Sequence, residues 1–356
     1  MIYFYIFICI SLLAFNVMYI AGSKGRNRSQ EKRTLYWEQL MDSLLNRLEK
    51  TNALPEGHGV MLVRRFSDIR ELMAFMNAAE LRMDHPMMRR YLNLCHDSFQ
   101  ELALIYKTRP AMERAFFAYV IAQCKPGAGR EHDLLAELLL EFLEDSTVYC
   151  RENVLQAFYA LGNAGAVEKA LSRFHENGWF HHTNLLSDGL TAFQGDREAL
   201  AKRLWAASQN WDETLQAAVV RFAASVTDAM QEPFLEALAD SATPEETKFA
   251  LVRYFQRRPF EKAYPVLCAM AGSSDNGGPA IAACSALAKY PGEETVAVLS
   301  RAVCSRNWYA RRNAADSLIR LGVSEQTLGA LTENDRYARE MLEYVSGKHF
   351  AQEAVL

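Results

Sequence analysis

Any chemistry in this chain would have to come from its histidines, cysteines and carboxylates, and their spacing argues against it. His181-His182 is the one histidine pair, with His175 six residues before it. Adjacent side chains on a helix point about 100° apart, while a metal site needs three or four converging ligands. The pair is therefore read as a turn and a helix start. Cys95-His96 has the residue types of a thiolate–imidazole couple, but adjacency on one helix keeps the two groups from meeting. Glu137, Glu141, Glu144 and Asp145 recur at helical spacing and form a solvated acidic face. The run Gly272–Gly278 follows a helix and leads into Pro279, the setting of an inter-helix loop rather than a phosphate cradle. Phosphate-loop, dinucleotide-fingerprint, zinc-protease, serine-hydrolase and C-x-x-C patterns do not occur in the chain. No catalytic residue, metal or cofactor is expected.

Arginine pairs recur at Arg64-Arg65, Arg89-Arg90, Arg257-Arg258 and Arg311-Arg312. They are the candidate interaction surface. A basic stripe could read nucleic acid or lipid headgroups, but nucleic-acid binders carry a marked positive footprint. Here residues 1–36 hold five Lys/Arg and one Glu, which leaves −8 on the rest of a chain of net charge −4. Structural use of the pairs is favoured: the stems cover apolar surface and the heads bond carbonyls of a neighbouring unit. The seven cysteines (Cys9, Cys95, Cys124, Cys150, Cys268, Cys284 and Cys304) are odd in number and lack metal-pair spacing. They read as reduced, buried thiols.

The elements that would position these residues come from a repeat. Arg151–Gly162 and Arg311–Gly322 align at an offset of 160, five periods of 32. Small or aliphatic residues followed four later by large ones fill the interval: Val154 with Phe158, Leu186 with Leu190, Ala218 with Phe222, Ala250 with Tyr254, Ala283 with Leu287, and Ala314 with Leu318. Successive steps are 32, 32, 32, 33 and 31. Spacing of four puts both members on one helix face, the small one admitting a neighbouring helix. Gly162, Gly195, Gly292 and Gly322 follow as turn signals, expected as left-handed caps. Pro110, Pro244 and Pro279 mark first-helix starts, and Pro233 and Pro265 second-helix starts. Each unit is thus two antiparallel helices, which must stack on neighbours to bury their faces. Val60–Val63 is the one short suspect for a strand.

The run Asn307–Gly322 resembles the first helix of a HEAT repeat, and more narrowly the short bacterial units also found in phycobilisome lyases. Residues 145–162 and 334–345 are similar at lower fidelity. The resemblance implies an all-α superhelix, a HEAT-like solenoid whose second helices line a concave surface, with a scaffolding or adaptor role. It does not carry over the lyase activity, since no cofactor-specific motif is present. Membrane-anchored chains of this layout from Gram-positive bacteria, linked to envelope polysaccharide machinery, are similar.

Residues 1–21 contain no charge, and about twenty helical residues cross a bilayer core. No basic residue precedes the apolar run and no A-x-A site follows it, so an uncleaved single transmembrane helix is expected rather than a signal peptide. Lys24, Arg26, Arg28, Lys32 and Arg33 follow, which places the N-terminus outside and the body in the cytoplasm. The expected organisation is an anchor (1–21), a basic juxtamembrane linker (22–34), a helical cap (35–109) and repeats with a C-terminal cap (110–356). Within the cap, 35–49 is amphipathic, and Val60–Met83 and Pro86–Lys107 read as two longer helices. Half of the residues are hydrophobic, which excludes disorder as the dominant state. The expected function is a membrane-tethered, non-enzymatic scaffold binding a protein, for example an integral membrane enzyme. The alternatives are an enzyme-accessory protein with a small-molecule groove, and a headgroup- or nucleic-acid-binding module built on the arginine pairs.

Overall fold

The computed structural model describes residues 2–273, 277–333 and 335–353, with the side chains of most of residues 1–26 outside the description. The described residues are all-helical, with no strand. They fall into two compact units, Met1–Val167 and Glu168–Leu356.

The first unit holds α1 (Ile2–Thr51), α2 (His58–Phe66), α3 (Ile69–Glu80), α4 (Met88–Leu94), α5 (His96–Tyr106), α6 (Ala111–Cys124), α7 (Leu134–Leu140) and α8 (Val148–Leu161). Helix α1 runs through residues 22–34, the segment expected as a basic juxtamembrane linker, so that segment is helical. It buries Trp37, Met41, Leu44, Leu45 and Leu48 and packs on α3. Arg33 pairs with Glu71 at 3.2 Å and Trp37 Nε1 donates to the same carboxylate at 3.0 Å. Val60–Val63 lies inside α2 and is helix, not strand. Each of the two long helices expected for 60–107 is two shorter ones. Asp68 takes an extended backbone and its carboxylate caps α3 by accepting from Arg70 N, which ends the helix before it. Cys95 bends the chain between α4 and α5.

Helix α9 (Ala164–Glu176) spans the division between the units. The second unit continues with α10 (Thr183–Thr191), α11 (Arg197–Ala207), α12 (Glu213–Val226), α13 (Gln231–Ala239), α14 (Glu245–Arg257), α15 (Tyr264–Ala271), α16 (Gly278–Ala286), α17 (Glu293–Val303), α18 (Trp308–Arg320), α19 (Glu325–Leu331) and α20 (Arg336–Glu353). Helices α10, α12, α14, α16, α18 and α20 pack each on the next, and α11, α13, α15 and α17 pack against members of that row.

The residues read as repeat packing all lie in the core. In α8, Val154 and Phe158 are both fully buried. Along the row, Leu186 and Leu190 are buried in α10, Ala218 and Phe222 in α12, and Ala250 and Tyr254 in α14. Ala283 is buried in α16, and Ala314 and Leu318 in α18. None of these residues is more than 2 % exposed. Leu287 is as deeply buried, but it lies one residue past the end of α16, in a 3-10 turn rather than in the helix expected for it. Alanine at the first position gives the backbones close approach, and the large residue fills the space one turn on.

Side-chain bonds tie neighbouring first helices from α12 to α18. Tyr254 donates to Thr227 O at 3.0 Å, Tyr290 to Phe255 O at 3.1 Å and Ser317 to Cys284 O at 2.8 Å. Arg258 Nε donates to Ala224 O at 2.8 Å. Asp196, Asp212, Asn307 and Ser324 cap their helices through backbone N–H groups. All five boundary prolines sit at a helix N-cap or in a first turn. The glycines divide. Gly162 and Gly322 are left-handed, at φ of 69° and 73°. Gly195 has no positive φ, and Gly292 is extended and precedes α17 as its N-cap. There the preceding helix closes instead with the 3-10 turn Leu287–Lys289, so no left-handed residue is needed.

Among the described residues no helix is long and apolar enough to cross a membrane. The anchor expected at 1–21 rests mainly on side chains outside the described residues. The large apolar side chains that are described there, Phe4, Phe7, Ile8, Leu12, Leu13 and Phe15, are all exposed.

Candidate functional site

Three neighbouring helices of the row, α10, α12 and α14, leave an open groove of about 570 Å³ between side chains on one face. Asp188 and Thr191 reach it from α10, Arg221 and Ser225 from α12, and Arg253 and Arg257 from α14. Thr191 and Ser225 hydroxyls meet across it at 3.4 Å. Arg221 is anchored by Asn184 Oδ1 and by Glu246 at 3.7 Å. The Arg253 guanidinium lies 4.8 Å from the centroid of the Phe249 ring, a cation–π contact. Arg253 and Arg257 are exposed, stand four residues apart on one face, and have no ion pair among the described residues. Asp188 is the one carboxylate in the lining. The groove is thus a local cationic patch on a body that is acidic by sequence. It lies on first helices, whereas the HEAT resemblance implies a binding face on second helices.

The arginine pairs do not converge on this site. Arg257 alone lines it. Its neighbour Arg258 bonds Ala224 O and Asp228. Arg311 donates to Ser305 O at 3.1 Å and stacks over Tyr337 at 5.6 Å, and Arg312 lies 5.6 Å from the Trp308 ring. In the first unit Arg65 pairs with Glu71 at 3.4 Å and lies over Tyr36 at 4.2 Å. Arg64, Arg89 and Arg90 are exposed. The pairing of arginines in sequence did not single out Arg221 and Arg253. A signal for them exists: each follows the small residue of its repeat by three, at Ala218 and Ala250, so they stand 32 apart on successive first helices.

The histidines and cysteines go separate ways. His182 Nδ1 caps α10 by accepting from Asn184 N at 3.2 Å. His181 packs its ring 4.7 Å from Phe174, and His175 Nδ1 accepts from Asp212 N at 3.2 Å. No metal-ligand cluster occurs among the described residues. His96 turns away from Cys95 and meets Asp133, with Nε2 3.0 Å from Oδ1, both side chains buried. Arg130 donates to His96 Nδ1 at 3.1 Å. The same Nδ1 lies 3.3 Å from Asp97 Oδ1. Asp133 also accepts from Gln100 Nε2 and Leu135 N, at 3.2 and 3.1 Å, which joins α5 to the start of α7. Cys95 instead neighbours Tyr91, whose hydroxyl lies 3.2 Å from His58 Nε2. Burial pushes the Cys95 and Cys124 thiols up to about 12 and lowers His58. A thiol held that high is not a thiolate at neutral pH, and the thiolate is the reactive form. Cys304 is the exposed exception among the described cysteines, and its thiol is raised by partial burial and by Asp335.

The chain matches no protein-family model, no curated protein and no solved structure.

Proposed function

We propose that this chain is a membrane-tethered, non-enzymatic adaptor of the HEAT-repeat kind, a helical solenoid that docks a protein partner on its first-helix face. The observation that carries the reading is the row from α10 to α20, in which each first helix packs on the next and buried residues four apart recur from 186/190 to 314/318. A surface built from repeated helices is extended and regular, which suits recognition of another chain. The groove across α10, α12 and α14 is a docking place on that face. Tethering is supported by the uncharged segment 1–21 and the five cations after it, which orient the N-terminus outward and the body to the cytoplasm. The continuity of α1 from that segment to Trp37 and Leu48 supports a stiff connection to the body, about 75 Å of helix in all.

The test is affinity purification of the full chain from detergent-solubilised membranes. A partner recovered in stoichiometric amount, and lost when exposed first-helix residues are substituted, is the expected result. Fractionation of the full chain with the soluble phase would overturn the tether, and cleavage of its body by protease added outside intact cells would overturn the cytoplasmic placement.

A further inference from the structure

We infer that the groove lined by Arg221, Arg253 and Arg257 takes an acidic segment of a protein partner, holding two of its carboxylates on arginines of successive helices. This rests on the adaptor reading and names the chemistry its partner must present. Arg221 and Arg253 occupy equivalent positions one repeat apart. They stand on successive helices, whose axes pack about 8–10 Å apart, so the groove presents cationic heads from two helices, enough to meet more than one acidic side chain. Arg257 extends the same row by one turn of α14.

Three features favour this occupant. Arg253 and Arg257 are like charges at i,i+4, an arrangement that weakens an exposed helix in the absence of a counter-charge; a bound carboxylate removes that repulsion. Arg221 is fixed by Asn184 and Glu246 and Arg253 by the Phe249 ring, so little side-chain freedom is lost on binding. Thr191, Ser225 and Gln256 also line the groove; their donors are engaged with Ser187 O, Phe222 O and Ser285, which leaves their oxygens to accept from backbone N–H groups of a peptide. A nucleic acid fits less well. It requires a long cationic track, whereas here the cations are three, Asp188 stands among them, and the body carries −8. For lipid headgroup phosphates, the lining residues lie within α10, α12 and α14, where helix interiors use their own backbone N–H groups.

The experiment uses the full chain in detergent, titrated with a fluorescein-labelled hexaglutamate peptide. Hexaglutamine, single-stranded oligothymidine and phosphatidylserine vesicles are run in parallel. The expected result is saturable binding of hexaglutamate that weakens with salt and falls about tenfold, about 1.4 kcal/mol, in Arg253→Glu/Arg257→Glu. Arg89→Glu/Arg90→Glu, on exposed arginines of the other unit, should leave it unchanged. An unchanged circular-dichroism spectrum shows that the variant folds, and Arg253→Gln/Arg257→Gln gives a milder second test. Equal binding to wild type and charge-reversed protein, or tighter arginine-dependent binding of the oligonucleotide or vesicles, overturns the inference. Should the charge-reversed protein still recover the membrane partner, the acidic-segment inference fails while the adaptor stands. Should hexaglutamate bind the groove and no partner be recovered, the adaptor reading fails and the groove chemistry stands.

Discussion

His96 Nε2 lies 3.0 Å from Asp133 Oδ1 across the first unit, 37 residues apart in sequence and with both side chains buried. Asp133 is at once the acceptor for His96 and Gln100 and the N-cap of α7. One carboxylate therefore couples a helix start to the packing of α5. Replacing His96 with alanine leaves a buried acceptor short of a donor, at a cost of about 1.5–3 kcal/mol. Hydrogen exchange on the full chain should show faster opening of the α5 and α7 amides, by about tenfold or more, with α10–α18 unaffected. Uniform protection in the variant would mean the contact carries no stability.

The buried hydroxyls predict an alkaline weakness. Burial pushes the Tyr254 phenol up to about 12 and raises Tyr106, Tyr159 and Tyr290 as well. Free phenol titrates near 10. The unfolded chain therefore loses these protons first, and the folded state binds more of them between the two values. Stability from this source is complete below about pH 10 and is lost as pH rises toward 12. Thiols raised by burial at Cys95, Cys124 and Cys284 start the decline earlier, from about pH 8.5–9. Tyr254→Phe removes one titrating group and one bond to Thr227 O. Its melting temperature should be lower at pH 7, by the equivalent of about 1 kcal/mol, and should fall less steeply between pH 10 and 12. A parallel decline in both proteins would contradict this linkage.

The repeat was legible because burial of the first-helix face forces a period onto the residue types. Val154, Ala218, Ala250 and Ala314 could be placed at the packing face from spacing alone, as could their large partners Phe158, Phe222, Tyr254 and Leu318, and the boundary prolines marked helix starts. The breaks in the first unit were not legible. Asp68 reads equally well as a surface carboxylate inside a helix, and Cys95 as one more apolar position; what makes them junctions is the extended Asp68 backbone and the bend at Cys95. The candidate groove was hidden for a related reason. Arg253 and Arg257 are neighbours on a helix surface but not in sequence, while the adjacent pair Arg257-Arg258 points one guanidinium into the groove and the other to the end of α12.

The small residues of the repeat predict a size limit. Ala250 and Ala314 are buried to 1 % and 0 % exposure between packed first helices. A larger side chain there must push α14 from α12 or α16, or α18 from α16. Ala250→Leu and Ala314→Leu should each destabilise by about 1–3 kcal/mol, read as a lower urea midpoint for the second unit. Phe222→Ala, which opens a cavity at the adjoining large position, should cost about 3–5 kcal/mol. Leucine tolerated at both alanine positions without loss would mean that close approach of the backbones is not what these residues provide.

Gly127 sets a sharper test of the His96 site. Its φ is +72°, and a Cβ added there would stand 2.3 Å from His96 Cδ2. Two costs therefore meet in Gly127→Ala. One is the left-handed backbone, about 1–2 kcal/mol for a residue with a Cβ. The other is collision with a ring held by Asp133 and Arg130, which cannot yield without breaking buried bonds. Removing the ring separates them. On a His96→Ala background the alanine at 127 should cost only the backbone part, so the double variant should be less destabilised than the sum of the two single ones, by about 1 kcal/mol or more. Strict additivity across that cycle would show that the ring and the glycine are not in contact in solution.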